Sequence, residues 1–311
     1  MLKEQLAHSG FVAVIGAPNT GKSTFVNTAL GKKVSIVSPK VQTTRNAIRG
    51  IYTTDDAQVI FTDTPGITPD DLGKMLNDWM NKTAFSKARE ADAVLFFVDA
   101  TTQHPEQGPG KEEIDIICKL QVACPVLLVV NKVDAVKKMR VDDTVAVLGK
   151  QYPFAGAHRI SALDGKGIPE LLAAVIALLP AGPQYFEAEE PSDQSDEFLA
   201  AEIVREKMFH LLQRELPYHA AVIVERIYDH EKIAGMLVIN ATINVARKSQ
   251  KAIVIGEKGR MLKQIGMQAR AELETLFGRK IHLLLHVRVE ENWFASERTL
   301  KKMGFEKEFE V

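Results

Sequence analysis

Gly16-Ala17-Pro18-Asn19-Thr20-Gly21-Lys22-Ser23 fits the pattern GxxxxGK[ST] and stands between an apolar run, Phe11 to Ile15, and helical patterning over about residues 22–30. Glycines at both ends let successive backbone N–H groups curl around phosphate oxygens at a helix N-terminus. Lys22 supplies a point charge for β and γ phosphates. The Ser23 hydroxyl, followed by Thr24, suits a Mg²⁺ ion. Strand, loop and helix in this order predict the phosphate-binding unit of an α/β sheet.

Working outward, Asp63-Thr64-Pro65-Gly66 follows the strand-like run Val59 to Phe61, so its carboxylate is expected at the same sheet edge as the phosphate loop. Asp63 there holds Mg²⁺ through water, and the Gly66 N–H suits a γ-phosphate contact that makes its loop sensitive to that phosphate. Asn131-Lys132-Val133-Asp134 ends the apolar run Val126 to Val130. A carboxylate at Asp134 accepts the ring N–H and exocyclic amine of guanine, a pattern adenine lacks, so GTP and GDP are the expected nucleotides. Lys132 is expected to pack along the base. Ser161-Ala162-Leu163, last in the order, offers a backbone N–H to the guanine carbonyl.

The run Val94 to Val98 and helical patterns near 73–89, 107–122, 140–149 and 167–179 complete an α/β sheet with helices on both faces. Ile48 to Tyr52 precedes Val59 across too short a turn for a crossover helix, which predicts an antiparallel hairpin and a mixed sheet. From Pro180 to Asp196 the chain turns rich in Pro, Gly, Ser and acid. The reading is a nucleotide domain over 1–180, a linker over 181–196 and a second domain over 197–311. That second domain reads as α+β: a helix near 197–215, strands near 220–228 and 236–245, two helices around Gly256–Gly259, a strand near 280–289 and a short helix near Glu297.

In the second domain, Gly256-Glu257-Lys258-Gly259 lies between the apolar residues Ile253 to Ile255 and a helix that opens at Arg260. A GxxG tetrapeptide arises about once per chain by chance, so context decides. Between Arg247 and Lys280 stand nine Lys and Arg residues against three Glu, although the whole 311-residue chain carries a net charge of −1. A loop of this kind brings nucleic-acid phosphates close to a helix N-terminus, with Lys251, Lys258, Arg260 and Lys263 as cations. Ile253, Ile255 and Ile265 read as an apolar floor for unstacked bases. His282 and His286 share one face of an alternating strand, where packing or edge roles outweigh metal binding. Cys118 and Cys124 are the two cysteines, without zinc spacing, and read as core packing in a reducing compartment. The longest apolar run, Leu171 to Leu179, is too short to cross a bilayer. The first strand begins so soon after Met1 that a leader finds no room, which points to a bacterial cytosolic protein.

With GAPNTGKST, QTTRN, DTPG, NKVD and SAL in the first part and FLAAEIVREK, GEKG and ENWFASERTLKKMGF in the second, the chain resembles nearly end to end the Era-like GTPases. These belong to the translation-factor class and carry a C-terminal type II KH domain; residues 187–196 match least well. The resemblance implies an α/β P-loop GTPase domain followed by an α+β KH-like domain. It also implies GTP hydrolysis with Lys22, Thr44 and Gly66 in catalytic roles, and binding of the 3′ end of small-subunit ribosomal RNA during 30S assembly. In Val41-Gln42-Thr43-Thr44-Arg45-Asn46 the family's TTR pattern favours Thr44 as the threonine that reaches Mg²⁺ and γ-phosphate, with Thr43 as the alternative. Two further features bear on rate. Ile67 follows Gly66, so no glutamine orients the attacking water and intrinsic turnover is expected to be slow. Asn19 stands where potassium-activated GTPases ligate K⁺. A monomer in the cytoplasm is expected. The competing reading is a switch at the inner face of the cell membrane, or on a protein scaffold, whose basic segment binds lipid or a partner.

Overall fold

The structure, a computed structural model, describes residues 5–38, 40, 43–68, 74–101, 111–212, 216–295, 297–303 and 305. The chain divides into two compact units, which part at Asp193 and Gln194 except that residues 72–76 group with the second.

The first unit contains β1 (Gln5–Leu6), β2 (His8–Gly16), α1 (Lys22–Leu30), β3 (Ile48–Thr53), β4 (Ala57–Asp63), α2 (Lys74–Glu90), β5 (Ala93–Asp99), α3 (Lys111–Lys119), β6 (Val126–Asn131), α4 (Lys138–Gln151), β7 (Gly156–Arg159), α5 (Ile168–Leu178) and β8 (Gly182–Pro183). Its main sheet runs β3-β4-β2-β5-β6-β7. Every pair is parallel except β3 with β4, the expected hairpin. Strands β4, β5 and β6 are buried at every position because helices cover both faces, which is why they read as continuous apolar runs. Phe25, Val26, Leu171 and Val175 of α1 and α5 pack on one face against Val14, Phe61, Leu95 and Phe97. Ala84, Ile117, Val141 and Leu148 of α2, α3 and α4 pack on the other against Ile15, Phe96 and Val98. Each fully buried Phe or Leu contributes about 1.5–3 kcal/mol. The sheet is therefore a stiff base from whose edge the loops project. The helix expected over 107–122 is described from Lys111 to Lys119, and residues 102–110 lie outside the described set.

The second unit contains α6 (Asp196–Leu211), β9 (Ala220–Asp229), β10 (Met236–Val245), α7 (Lys248–Ile255), α8 (Arg260–Phe277), β11 (Lys280–Val289) and α9 (Glu297–Lys302). Ser195 caps α6 by accepting the Phe198 N–H at 3.2 Å, and Asp196 and Glu197 complement the positive end of the helix. The sheet order is β11-β10-β9, with β10 parallel to β11 and antiparallel to β9. Ile265, Ala269 and Leu273 recur at helical spacing on α8 and are fully buried against Ile239, Ala241 and Ile243. Ile265 is thus core, not part of a floor for bases, because its place on the α8 stripe turns it toward the sheet. Cys118 is exposed and Cys124 only partly buried, so the core-packing reading fails for Cys118.

Candidate functional site

At the C-terminal end of β2 the chain enters the phosphate loop through Gly16, at φ 146°. A Cβ there would stand 2.3 Å from the Phe97 carbonyl, and one on Gly21 would stand 2.1 Å from the Asn131 amide nitrogen. Both glycines are dictated by close approach as well as by φ. Asn19 also holds a positive φ, 61°, which asparagine tolerates better than most residues. Lys22, the first residue of α1, turns back and donates from Nζ to the carbonyls of Gly16 at 3.1 Å and Ala17 at 2.7 Å. Thr20 donates to the Ala17 carbonyl at 3.0 Å. Burial lowers the Lys22 ammonium to about 8 against the opposing pull of Asp63 and Glu112.

Three oxygens meet beside this loop. Ser23 Oγ donates to Asp63 Oδ2 at 2.6 Å, lies 2.9 Å from Thr44 Oγ1, and Thr44 Oγ1 donates to the same carboxylate oxygen at 3.4 Å. Burial pushes the Asp63 carboxyl up, while the Ser23 hydroxyl and Lys22 pull it down. Asp63 Oδ1 is buried and has no hydrogen-bond partner among the described residues. An orphaned carboxylate oxygen within a set of hard oxygen donors is what a Mg²⁺ site requires. Thr43 turns instead to the Lys40 carbonyl at 2.8 Å, which separates the two threonines; Val41 and Gln42 lie outside the described residues. Gly66 presses on the phosphate loop so closely that a Cβ would lie 2.6 Å from Pro18 Cα, and the next N–H, that of Ile67, donates to the Gly16 carbonyl at 3.1 Å. Thr64 binds the Val14 carbonyl through its hydroxyl at 2.8 Å, and Thr64 and Pro65 are both buried.

Asn131 joins three motifs. Its amide nitrogen donates to the Thr20 carbonyl at 2.8 Å, and its amide oxygen accepts the Ala162 N–H at 2.9 Å. It therefore acts as a clamp between loops, with both polar groups already committed. Lys132, at φ 63°, pairs with Asp99 at 2.5 Å and opens the 3-10 turn Val133–Ala135 that presents an exposed Asp134. Ser161 is buried, while Leu163 is 79% exposed at the rim. A cleft of about 380 Å³ runs over Pro18, Asn19, Gly21 to Thr24, Thr43, Thr44, Thr64, Gly66 and Lys132. Ile36, Val37 and Ser38 also line it, and no sequence signal singled them out. Asn27 of α1 directs that stretch, accepting the N–H groups of Val34 and Ser35 at 2.9 and 3.0 Å.

In the second unit the GxxG turn joins α7 to α8. Gly256, Lys258 and Gly259 all have positive φ, and a Cβ on Gly256 would meet Met261 Cβ at 2.7 Å. Glu257, Lys258, Arg260 and Lys263 are exposed, while Lys251 and Ile255 are half-buried. From Gly259 a groove of about 400 Å³ runs between α8 and β11, floored by Leu262, Gly266, Met267, Leu283 and Leu285 and edged by Lys263, Arg270 and His282. The floor was not legible in the sequence, because it combines one α8 face with a strand made adjacent only by the fold.

A nucleotide-binding α/β unit with a phosphate loop, followed by a unit with the order helix, two strands, two helices about GxxG, and strand, defines a P-loop GTPase joined to a KH domain. Family models agree: residues 11–132 match the 50S ribosome-binding GTPase family and residues 215–294 the KH domain. The chain belongs to the Era family of GTPases. It is 46% identical to GTPase Era of Lacticaseibacillus paracasei over 96% of this chain and 97% of that one. It is 45% identical to GTPase Era of Geotalea daltonii over 98% and 100%. A crystal structure of Era in complex with MgGDPNP and nucleotides 1506–1542 of 16S ribosomal RNA superposes with a TM-score of 0.91 at 37% identity, covering 96% of this chain and 99% of that one. A point variant of Aquifex aeolicus Era bound to GDP.AlF4⁻ gives 0.90 at 37% identity over the same shares.

Proposed function

We propose that this chain is a Mg²⁺-dependent, GTP-hydrolysing switch that binds the 3′ end of small-subunit ribosomal RNA through its KH unit and assists assembly of the 30S subunit, as a monomer in the cytoplasm. The observation that carries this reading is the presence, on one chain, of the Ser23, Thr44 and Asp63 oxygen cluster and a basic-edged groove opening at GxxG. The Era crystal structure holding both a GTP analogue and 16S RNA supports it by relationship. The family description that names the large subunit covers only residues 11–132, so the choice of RNA rests on the KH unit.

In this mechanism Lys22 exchanges the Gly16 and Ala17 carbonyls for phosphate oxygens, and the loop N–H groups and that of Gly66 neutralise charge on the γ-phosphate. Ser23, Thr44 and Asp63 would hold Mg²⁺, and the bound ion would offset charge on the phosphates. Asp134 selects guanine, and Asn131 positions the loops around it. Ile67 brings no polar atom to the attacking water, so turnover is slow. Asn19 would hold a K⁺ ion, which would supply further positive charge to the phosphates. Hydrolysis should then run faster in potassium than in sodium chloride of equal strength, and equal rates would remove the ion from the mechanism.

Lys258→Asp tests the RNA role. Aspartate accepts the positive φ of this position more readily than lysine, so the fold is kept while a like charge faces the phosphates. Affinity for single-stranded 3′-end RNA should fall by about tenfold or more, with fluorescent GDP binding unchanged. Unaltered RNA affinity would overturn the RNA reading, and binding to anionic vesicles in its place would turn it toward the membrane surface. Among the described residues no helix is long and apolar enough to cross a membrane.

A further inference from the structure

The sheet of the KH unit has a second face, opposite the one that packs on α8. Cross-strand register sets Tyr228 of β9, Val238 of β10 and His282 of β11 in one row, and directly opposed residues share a face. The adjacent row, Ile227, Ile239 and Leu283, belongs to the core, so Tyr228 and His282 point away from the helices. His230, two residues beyond Tyr228, stacks on His282 with ring centroids 6.2 Å apart and planes inclined by 26°. Its Nδ1 accepts the backbone N–H groups of Lys232 and Ile233 at 3.1 and 3.2 Å, which fixes the ring. Val238 beneath is 4% exposed, while Tyr228 is 41% exposed and His282 is exposed.

The chemistry of this face favours a flat, anion-bearing ligand. A stacked imidazole pair offers ring faces, not converging lone pairs, and the committed Nδ1 of His230 further disfavours a metal. Arg226, one row along the same face, is exposed, as are Lys232 and Lys280. Of the nearby carboxylates, Asp229 pairs with Arg279, and Glu231 is exposed. His282 also lines the groove, so the groove and this face are continuous at the edge strand.

We propose that a single RNA strand held in the groove continues past β11 onto this outer face, where His282, His230 and Tyr228 form a stacking platform for one or two flanking bases. The proposal rests on the RNA reading of the groove. Aromatic platforms bind bases of any sequence through their ring faces, so affinity should grow with length once the groove is filled.

The test uses the full chain and fluorescein-labelled single-stranded RNAs from the small-subunit 3′ end, one of about six nucleotides to fill the groove and one of about twelve. In wild type the longer RNA should bind about tenfold more tightly. A 2-aminopurine placed at successive flanking positions should be quenched at one or two of them. Tyr228→Ala should lose that increment and the quenching while keeping the affinity for the shorter RNA; Tyr228→Phe should restore both. Equal losses for both lengths, or no quenching in wild type, would overturn the platform. Lys258→Asp separates the two readings: if it weakens both RNAs while wild type gains nothing from length, the platform fails and the groove stands. If it weakens neither, the groove fails and the platform with it.

Discussion

Lys22 carries more information than its motif. In the free protein its ammonium is buried and sits near a pKa of about 8, because desolvation outweighs the attraction of Asp63 and Glu112. Phosphates in the cleft would raise that value again. Nucleotide binding should therefore take up protons above pH 8 and none below about pH 7, where Lys22 is charged in both states. At pH 8.5, calorimetry of GDP binding in buffers of different ionisation enthalpy should report on the order of half a proton or more. No uptake would mean that Lys22 is not the group facing the phosphates. Asn131 teaches a different lesson. Its place in the NKVD motif reads as part of the nucleotide site, and both ends of its amide also join the phosphate loop to Ala162. Asp134 of the same motif is exposed.

Among the elements, the segment read as a linker is the most instructive. Its composition suggests a free connection, but residues 182–193 are held to the first unit at several points. Ser9 donates to the Pro183 carbonyl at 2.8 Å, and the Pro191 carbonyl accepts the Ile51 N–H at 2.9 Å. Ser192 donates to the Arg49 carbonyl at 2.6 Å, and Arg49 pairs with Asp193. The centre of this attachment is Gln58, fully buried on β4, whose amide oxygen accepts the N–H groups of Tyr185 and Phe186 and whose nitrogen donates to the Phe186 carbonyl. Gln58→Ala would leave those backbone groups without partners, at a cost of about 1–3 kcal/mol. Chemical denaturation should show that loss, while GDP affinity of the folded protein stays unchanged. A stability equal to wild type would show the segment to be held by its other bonds. No pattern in the sequence distinguished Gln58 from any other strand residue.

For the whole molecule, a γ-phosphate contacting Thr44 and Gly66 has a consequence for RNA only if the two units are coupled. Coupling of the ordinary size makes RNA affinity differ by about five- to 150-fold between the GDP form and a form holding a non-hydrolysable GTP analogue. The same factor must appear when nucleotide affinity is measured with and without RNA. Filter binding in both directions checks it. Identical RNA affinities in the two forms would leave two independent activities on one chain.

The sequence alone determined the two-unit order, the mixed α/β sheet, the β3 and β4 hairpin and the nucleotide motifs. Each depends on residues adjacent in the chain: apolar runs set strands, and short glycine-bearing loops at strand ends carry their own chemistry. The helix–GxxG–helix turn was equally local. Tertiary structure alone decided which residues of separate elements meet. It turned Ile265 into the core and left Cys118 exposed. It also set α8 beside β11 to make a groove and stacked His230 on His282. Such meetings depend on strand register and helix packing, which long-range burial selects and no single segment encodes.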